Sequence, residues 1–212
     1  MFELYVVTDD TMSRGLSHAR VAEEALKGGA DAVQLRMKGS SREEMTAQAL
    51  EIAALTGGYG AFFIVNDDLE VALASGADGV HIGQGDMSLE EARARAGESF
   101  IIGVSVSCLE EALEAEEDGA DYIGFGPVFE TSSKPDAGAP LGLDALQEVC
   151  SAVSIPVVAI GGISADNMRQ VIAAGADGIA VISAVVAAGD IARAARDLRR
   201  GVMETKRSLG IL

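Results

Sequence analysis

The 212-residue sequence has no tryptophan, two cysteines, two histidines and four prolines. Aromatic residues reach only 4% although apolar residues make up 49%. A core of that size must come from Val, Ile, Leu and Ala, the composition of parallel sheets buried on both faces. Cys108 and Cys150 lack metal-ligand spacing, and they do not suggest a disulfide framework. Long hydrophobic runs are also missing. The best, residues 178–189 (GIAVISAVVAAG), is about six residues too short to span a membrane. No basic stretch precedes an apolar one at the start, so no secretion signal is expected and the cytoplasm is the expected compartment. Positive charge is scarce as well: 16 Lys and Arg stand against 33 Asp and Glu, a net charge of −17. That balance disfavours nucleic acid and anionic membrane surfaces as partners. An anionic small molecule would need a local basic site. Arg193, Arg196, Arg199, Arg200, Lys206 and Arg207 crowd the last twenty residues, where the solvated side of a final helix is their expected place. A cation at the end of an apolar strand therefore stands out.

What is present has a rhythm. The triplet GAD occurs at residues 29–31, 76–78, 119–121 and 175–177, at spacings of 47, 43 and 56. Each copy follows a helical pattern rich in Ala, Glu and Leu, and each precedes a short apolar run. A glycine after a helix supplies a left-handed cap from which a strand can start. Each interval holds two strand–helix units. The remaining strands fall at 3–9, 61–66, 100–106 and 155–162, giving eight. Helices are expected over 15–28, 41–56, 68–75, 88–96, 108–118, 143–152, 164–174 and 190–207. Capping boxes at Ser41-x-x-Glu44 and Ser88-x-x-Glu91 support two of them. The pattern predicts an α/β chain, one (β/α)8 TIM barrel over residues 1–212. A doubly wound open sheet is the alternative, but it gives no reason for eight short apolar strands of similar length.

Active-site groups of such a barrel sit at the C-terminal strand ends. Asp31, Asp78, Asp121 and Asp177 precede their strands, so a structural role at the bottom is expected. Asp9, Asp67 and Asp86 follow theirs and belong at the mouth. In "QLRMK", Gln34, Arg36 and Lys38 alternate with Leu35 and Met37, so all three point one way, inward and toward the mouth. Two cations there are costly unless paired or liganded. Anion binding is favoured over ion pairs, which would be placed more cheaply outside. Asn66, Asp67 and Asp86 come from adjacent strand ends and are hard oxygen ligands suited to Mg²⁺ shared with substrate phosphates. Asp68 reads as a helix cap. Gly161 and Gly162 after strand seven, with Ser183 after strand eight, suit the phosphate site common in this fold. A tight turn into the next helix is the plainer alternative. His18 is expected on the surface, and His81 as a hydrogen-bonded interior residue.

Three of the four prolines (Pro127, Pro135, Pro140) fall within "GPVFETSSKPDAGAP", residues 126–140. Lys134, in the same stretch, is the one basic residue between Arg95 and Arg169. A long stiff loop at a barrel mouth points to function, here a lid.

The elements "YVVTD", "QLRMK", "FIVNDD", "GVHIGQGD", "GVS", "DYIGFGPVFETSSKPDAGAPLGL", "VVAIGGI" and "GADGIAVISA" together resemble the thiamine phosphate synthase family, in order and over nearly the whole chain. The resemblance implies a (β/α)8 barrel. It implies a transferase that joins 4-amino-5-hydroxymethyl-2-methylpyrimidine diphosphate to a thiazole phosphate, or its carboxylated form. Diphosphate is released by way of a stabilised pyrimidine carbocation, and Mg²⁺ is required. By resemblance, Gln34, Arg36, Lys38 and Asn66 bind the pyrimidine diphosphate, and Asp67 and Asp86 hold the metal. Ser105 contacts the pyrimidine. Thr131, Ser132 and Ser133 lie by the thiazole, Lys134 reaches the diphosphate, and Gly162, Ile182 and Ser183 take the thiazole phosphate. Arg36, Lys38, Ser105 and Lys134 are the catalytic set.

One departure is visible. In "SVSCLEE", Ser107 and Cys108 stand where the family usually has a His followed by a hydroxyl residue, and Ser107-x-x-Glu110 is left as a possible helix cap. A thiazole tautomerase-like isomerase would use that histidine. A non-catalytic regulatory phosphate-binding barrel is the other alternative.

Overall fold

The structure is a computed structural model that describes residues 2–134 and 138–212. Eight strands are hydrogen-bonded in sequence order and close on themselves. They are β1 (Leu4–Val7), β2 (Ala32–Leu35), β3 (Phe62–Asn66), β4 (Gly79–Ile82), β5 (Ile101–Val106), β6 (Tyr122–Phe125), β7 (Val157–Ile160) and β8 (Gly178–Val181). All pairings are parallel, including β1 with β8, so the open-sheet alternative is excluded. The helices are α1 (His18–Lys27), α2 (Arg42–Tyr59), α3 (Leu69–Ser75), α4 (Leu89–Ala96), α5 (Leu109–Glu117), α6 (Gly142–Ala152), α7 (Met168–Ala173), α8 (Ser183–Val186) and α9 (Ile191–Ser208). The short α8, directly after β8, is an element that the helical pattern did not separate. Among the described residues, no helix is long and apolar enough to cross a membrane.

Two cores result. The larger, between strands and helices, is built from Val, Ile, Leu and Ala as expected, with Phe63 and Phe125 among its few rings. The smaller lies inside the barrel and gathers Phe2, Tyr5, Ile64, Tyr122 and Val158 with Ala32 and Ala180. Phe2 meets Tyr5, Phe62 and Tyr122 edge-on, each with ring centroids 5.3 Å apart. The scarce aromatics thus concentrate at the barrel floor. Small neighbours make this possible: Tyr5 sits in register between Ala32 and Ala180.

The four GAD repeats have one structural job. Their glycines take positive φ values of 93°, 71°, 89° and 106°. Each aspartate then turns its carboxylate back onto the strand before it. Asp31 Oδ2 accepts from Leu4 N, Asp78 Oδ2 from Phe63 N, Asp121 Oδ2 from Ile102 N and Asp177 Oδ2 from Val157 N, at 2.7–3.0 Å. In return each aspartate N–H donates to the carbonyl of that same residue. The expected place at the bottom holds for all four.

The helix signals hold in part. Ser41 and Glu44 form the full capping box, and Ser88 accepts from Glu91 N. Ser107 does not cap α5. Cys108 takes the N-cap position without a side-chain bond, and Ser107 turns instead to the Glu111 carboxylate. In α9, Lys206 departs from its expected solvated place. It is 2% exposed and reaches Glu3 at 3.6 Å, because its position faces the barrel floor rather than water. Arg199 pairs with Asp31 at 2.8 Å. His18 is buried rather than on the surface, with its Nδ1 2.7 Å from Thr8 Oγ1. As the first residue of α1 it faces the strand it follows.

Removing one repeat carboxylate leaves a buried strand N–H without its partner. Asp177→Ala should cost about 1–3 kcal/mol in urea unfolding. An unchanged unfolding midpoint would show that the carboxylate is not a structural tie.

Candidate functional site

Parallel closure brings every strand's C-terminal end to one mouth, where a cavity of about 440 Å³ opens. Ser105 on β5, Thr131, Ser133 and Lys134 from the loop after β6, Gly162 after β7, and Ile182 and Ser183 after β8 all line it. Ser132 is exposed and is not part of that lining. Gly161 and Gly162 both have positive φ, 102° and 64°. A Cβ at Gly162 would run into the Glu130 carbonyl and Phe129, so the two loops need a bare backbone to pack together. Val128 N and Phe129 N donate to Ile160 O and Gly161 O at 2.9 and 3.0 Å. The entry to the long loop is therefore fixed alongside β7. Of the loop expected to act as a lid, Thr131, Ser133 and Lys134 line the cavity. Pro135 lies outside the described residues.

A second part of the mouth is ionic. Arg36 and Lys38 follow the end of β2, and both are paired with carboxylates, contrary to the expectation that ion pairs would lie outside. Arg36 Nη1 lies 3.1 Å from Asp9 Oδ2, with both groups buried. Asp9 is itself held by Thr11 Oγ1 and Met12 N at 2.6 and 3.0 Å. The pairing is explained by burial: an unpaired guanidinium is costly there. Its Nε makes no hydrogen bond. Lys38 Nζ lies 2.6 Å from Asp67 Oδ2, and its side chain is 58% exposed. Such an exposed pair contributes little to stability.

Asp67 follows the buried Asn66 and adopts φ 64°, one of two non-glycine residues with positive φ among the described residues. Backbone strain of this kind clusters at functional sites. Its N–H is held by His81 O at 2.8 Å, and Asp68 caps α3 as expected. Asp86 Oδ2 accepts from Gly83 N at 2.8 Å. Lost hydration raises the Asp86 carboxyl above its usual range, the Gly83 N–H opposes this, and the neighbouring Asp67 carboxylate raises it further. Two carboxylates held this close to each other suit a shared cation. Among the described residues no cluster of three or more His, Cys, Asp or Glu side chains converges.

Below the cavity lies a buried polar floor. Gln34 Nε2 bonds Tyr5 Oη at 2.9 Å, and Tyr5 Oη meets Tyr122 Oη at 3.0 Å. Tyr122 Oη meets His81 Nδ1 at 2.9 Å, and His81 Nε2 meets Ser105 Oγ at 2.8 Å. Burial pushes His81 down to about 3, assisted by the positive charge of Lys134 and opposed by Asp67. Burial also raises both tyrosines above their usual value. His81 is thus the hydrogen-bonded interior residue that its place in β4 suggested.

The structure gathers Ser105, Thr131, Ser133, Lys134, Gly162, Ile182 and Ser183 in one cavity. Gln34 borders a small void beneath it, together with Ser105 and Lys134. Arg36, Lys38, Asn66, Asp67 and Asp86 form the ionic rim. Sequence reasoning missed Tyr5 and Tyr122. Their signal was available: they are two of three tyrosines, and each lies in a short apolar strand.

Residues 4–185 match the sequence profile of the family described as thiamine monophosphate synthase. The chain is 58% identical over 198 residues to a thiamine-phosphate synthase of Methanocella arvoryzae, covering 93% of each. It is 54% identical over 205 residues to that of Chloroflexus aurantiacus, covering 97% of this chain and 94% of the other. A solved structure, thiamine phosphate pyrophosphorylase from Pyrococcus furiosus, superposes with a TM-score of 0.88 at 46% identity, covering 96% of each chain.

The depressed His81 gives a pH signature. In the unfolded chain a histidine titrates near its ordinary 6.5, whereas the folded value is about 3. The unfolded state therefore binds the extra proton between these values, so this contribution is complete above 6.5 and is lost as pH falls toward 3. Unfolding free energy should drop by about 2 kcal/mol from this residue between pH 6.5 and 5. Urea titrations of wild type and His81→Gln should differ in slope over that window, and parallel slopes would contradict a neutral buried imidazole.

Proposed function

The chain belongs to the thiamine monophosphate synthase family, its activity is the transfer that forms thiamine phosphate, and we propose that the mouth described above carries it out by dissociation of a pyrimidine diphosphate. The observation that carries this reading is the division of the mouth into an ionic rim and a cavity with a glycine–serine corner formed by Gly162, Ile182 and Ser183. The rim, with Arg36, Lys38 and Asn66, takes the diphosphate together with Lys134 from the cavity lining. The cavity corner of Gly162, Ile182 and Ser183 takes the thiazole phosphate, and Thr131 and Ser133 lie beside the ring. Ser132, exposed and off the lining, has weaker support. Gln34 and Ser105 receive the aminopyrimidine at the floor.

Asp67 and Asp86 fit Mg²⁺. Their carboxylates are close enough to raise the Asp86 pKa. This ion commonly uses one or two carboxylates together with substrate phosphates and water. When bound it supplies positive charge for the leaving diphosphate.

The chemistry asks little covalent work of the protein. The bond between the pyrimidine methylene carbon and the diphosphate oxygen breaks, and its electron pair leaves with the diphosphate. The amino-substituted ring stabilises the resulting cation, and the thiazole nitrogen lone pair forms the new carbon–nitrogen bond. Arg36, Lys38 and Lys134 stabilise the negative charge that grows on the diphosphate. Arg36 is held ready by Asp9. The Lys38–Asp67 pair has the charge pattern that a diphosphate and its cation would match, anion to Lys38 and cation to Asp67. Ile160, Ile163 and Ile182 give the cavity apolar walls that keep water from the carbocation. The isomerase and the non-catalytic regulator have no support: the relatives compared above are named as synthases, and the chain has Ser107 where the isomerase reading needs a histidine.

A coupling assay with both phosphorylated substrates should release diphosphate only with Mg²⁺ present, and chelation should stop it reversibly. Asp67→Ala, Asp86→Ala and Lys134→Ala should each lower turnover by roughly a hundredfold or more. Full activity in all three would overturn the assignment of the rim.

A further inference from the structure

The polar floor has a direction. Gln34 Nε2 can only donate, and it does so to Tyr5 Oη at 2.9 Å. A phenol holds one proton. The Tyr5–Tyr122 contact at 3.0 Å and the Tyr122–His81 Nδ1 contact at 2.9 Å can each run either way by geometry alone. With Gln34 donating, the order that gives each buried phenol proton an acceptor runs from Tyr5 to Tyr122 and from Tyr122 to Nδ1. A neutral imidazole that accepts at Nδ1 carries its proton on Nε2, and that nitrogen lies 2.8 Å from Ser105 Oγ. Ser105 therefore accepts from within, and its own proton is left to point into the cavity that it lines.

The barrel makes room for this chain at visible cost. His81, Gly103 and Tyr122 lie side by side in register on β4, β5 and β6. A Cβ at Gly103 would overlap the Tyr122 ring, so the glycine lets Tyr122 and His81 meet across the strand between them. A Cβ at Gly124 would lie 3.0 Å from His81 Cε1, tighter than ordinary packing. Strand interiors disfavour glycine unless something must approach closely. Here two adjacent strands each give up a side chain to the network. Tyr5, Tyr122 and Gln34 are 2%, 2% and 4% exposed, so each polar group must be satisfied within the chain or lose hydrogen-bonding energy.

We propose that Tyr5, Tyr122 and His81 are positioning residues that fix the hydrogen-bond polarity of the pyrimidine pocket, making Ser105 an obligatory donor to the ring. The role rests on the proposed seating of the aminopyrimidine at Ser105. An aminopyrimidine offers ring nitrogens that carry no proton and can only accept. In its oxo counterpart the ring nitrogen beside the oxo group carries a proton and donates, while the oxo oxygen accepts where the amino group donated. A donor held in place at Ser105 against that ring nitrogen thus selects the amino ring. The tyrosines and His81 select it without touching the diphosphate or the thiazole.

The sequence has two histidines, so imidazole ¹⁵N NMR of the full-length protein is readily assigned with a His18→Gln variant. The expected wild-type spectrum shows His81 protonated on Nε2 and bare at Nδ1. A proton on Nδ1 would reverse the links of His81 to Tyr122 and Ser105, make Ser105 an acceptor toward the cavity and overturn the inference. Tyr122→Phe removes the donor to Nδ1. It should mix the His81 tautomers and raise KM for the pyrimidine diphosphate about tenfold with KM for the thiazole phosphate unchanged. It should also shrink the preference for the amino over the oxo pyrimidine diphosphate by a similar factor. Equal changes in both KM values, or an undiminished preference, would mark Tyr122 as merely structural. The NMR result needs no turnover, so absence of synthase activity in wild type would overturn the proposed function while the polarity of the chain was still read.

Discussion

Each repeat aspartate exchanges two hydrogen bonds with the strand before it, and the register of the mouth depends on these ties. Asp31 N donates to Leu4 O at 2.9 Å while Leu4 N donates to Asp31 Oδ2 at 3.0 Å. The same double bond ties β3 to β4, β5 to β6 and β7 to β8. Side chains alternate along a strand, so a slip of one residue would turn an inward set outward. Gln34, His81, Ser105 and Tyr122 would leave the interior together. The ties lie at the barrel's bottom, yet they determine which residues reach its top.

The same polarity divides the acidic residues into two kinds of work. Carboxylates before a strand hold backbone N–H groups of the preceding strand, with Arg199 on Asp31 and Arg93 on Asp121 as added partners at the bottom. Those after a strand, Asp9 and Asp67, hold cations. The strong negative balance of the chain therefore does not oppose an anionic substrate locally. Asp9 keeps a buried guanidinium in place, and Lys38 shares its partner with the proposed metal. A surface count of charge says nothing of this, because the cations that matter are few and sit at one face.

The barrel and its mouth were legible because they follow from chain order. Four GAD triplets fix four strand starts, and parallel closure then sorts each polar residue to top or bottom without knowledge of its neighbours. Gly161, Gly162, Ser183 and the loop that carries Lys134 could be placed at the mouth in this way, whereas Ser105, Thr131, Ser133 and Ile182 came from the family resemblance. What was not legible depends on lateral register. Nothing in "ELYVV" or "DYIGF" says that Tyr5 and Tyr122 meet across the interior, because that contact needs Ala32, Gly103 and Ala180 to be small at matching heights. His18 was misplaced for a related reason: a helix's first residue can face inward when the preceding loop folds back on the strand, as Thr8 and His18 do. Lys206 likewise reads as one more cation of a basic helix until Glu3 is seen beneath it.

The contrast between rim and floor matters for the reaction proposed. As the carbon–oxygen bond breaks, negative charge grows on the diphosphate and positive charge grows on the pyrimidine ring. Cations suit the first place and would oppose the second. Arg36 and Lys38 lie at the rim, whereas Lys134 reaches down to border the void enclosed by uncharged Gln34, Tyr5, Tyr122, His81 and Ser105. Histidine is the one floor residue able to acquire positive charge at ordinary pH. Burial holds it neutral, and the Lys134 charge pushes in the same direction. The cation that would meet the departing diphosphate therefore also keeps His81 from adding a second positive charge beneath a ring that must become cationic.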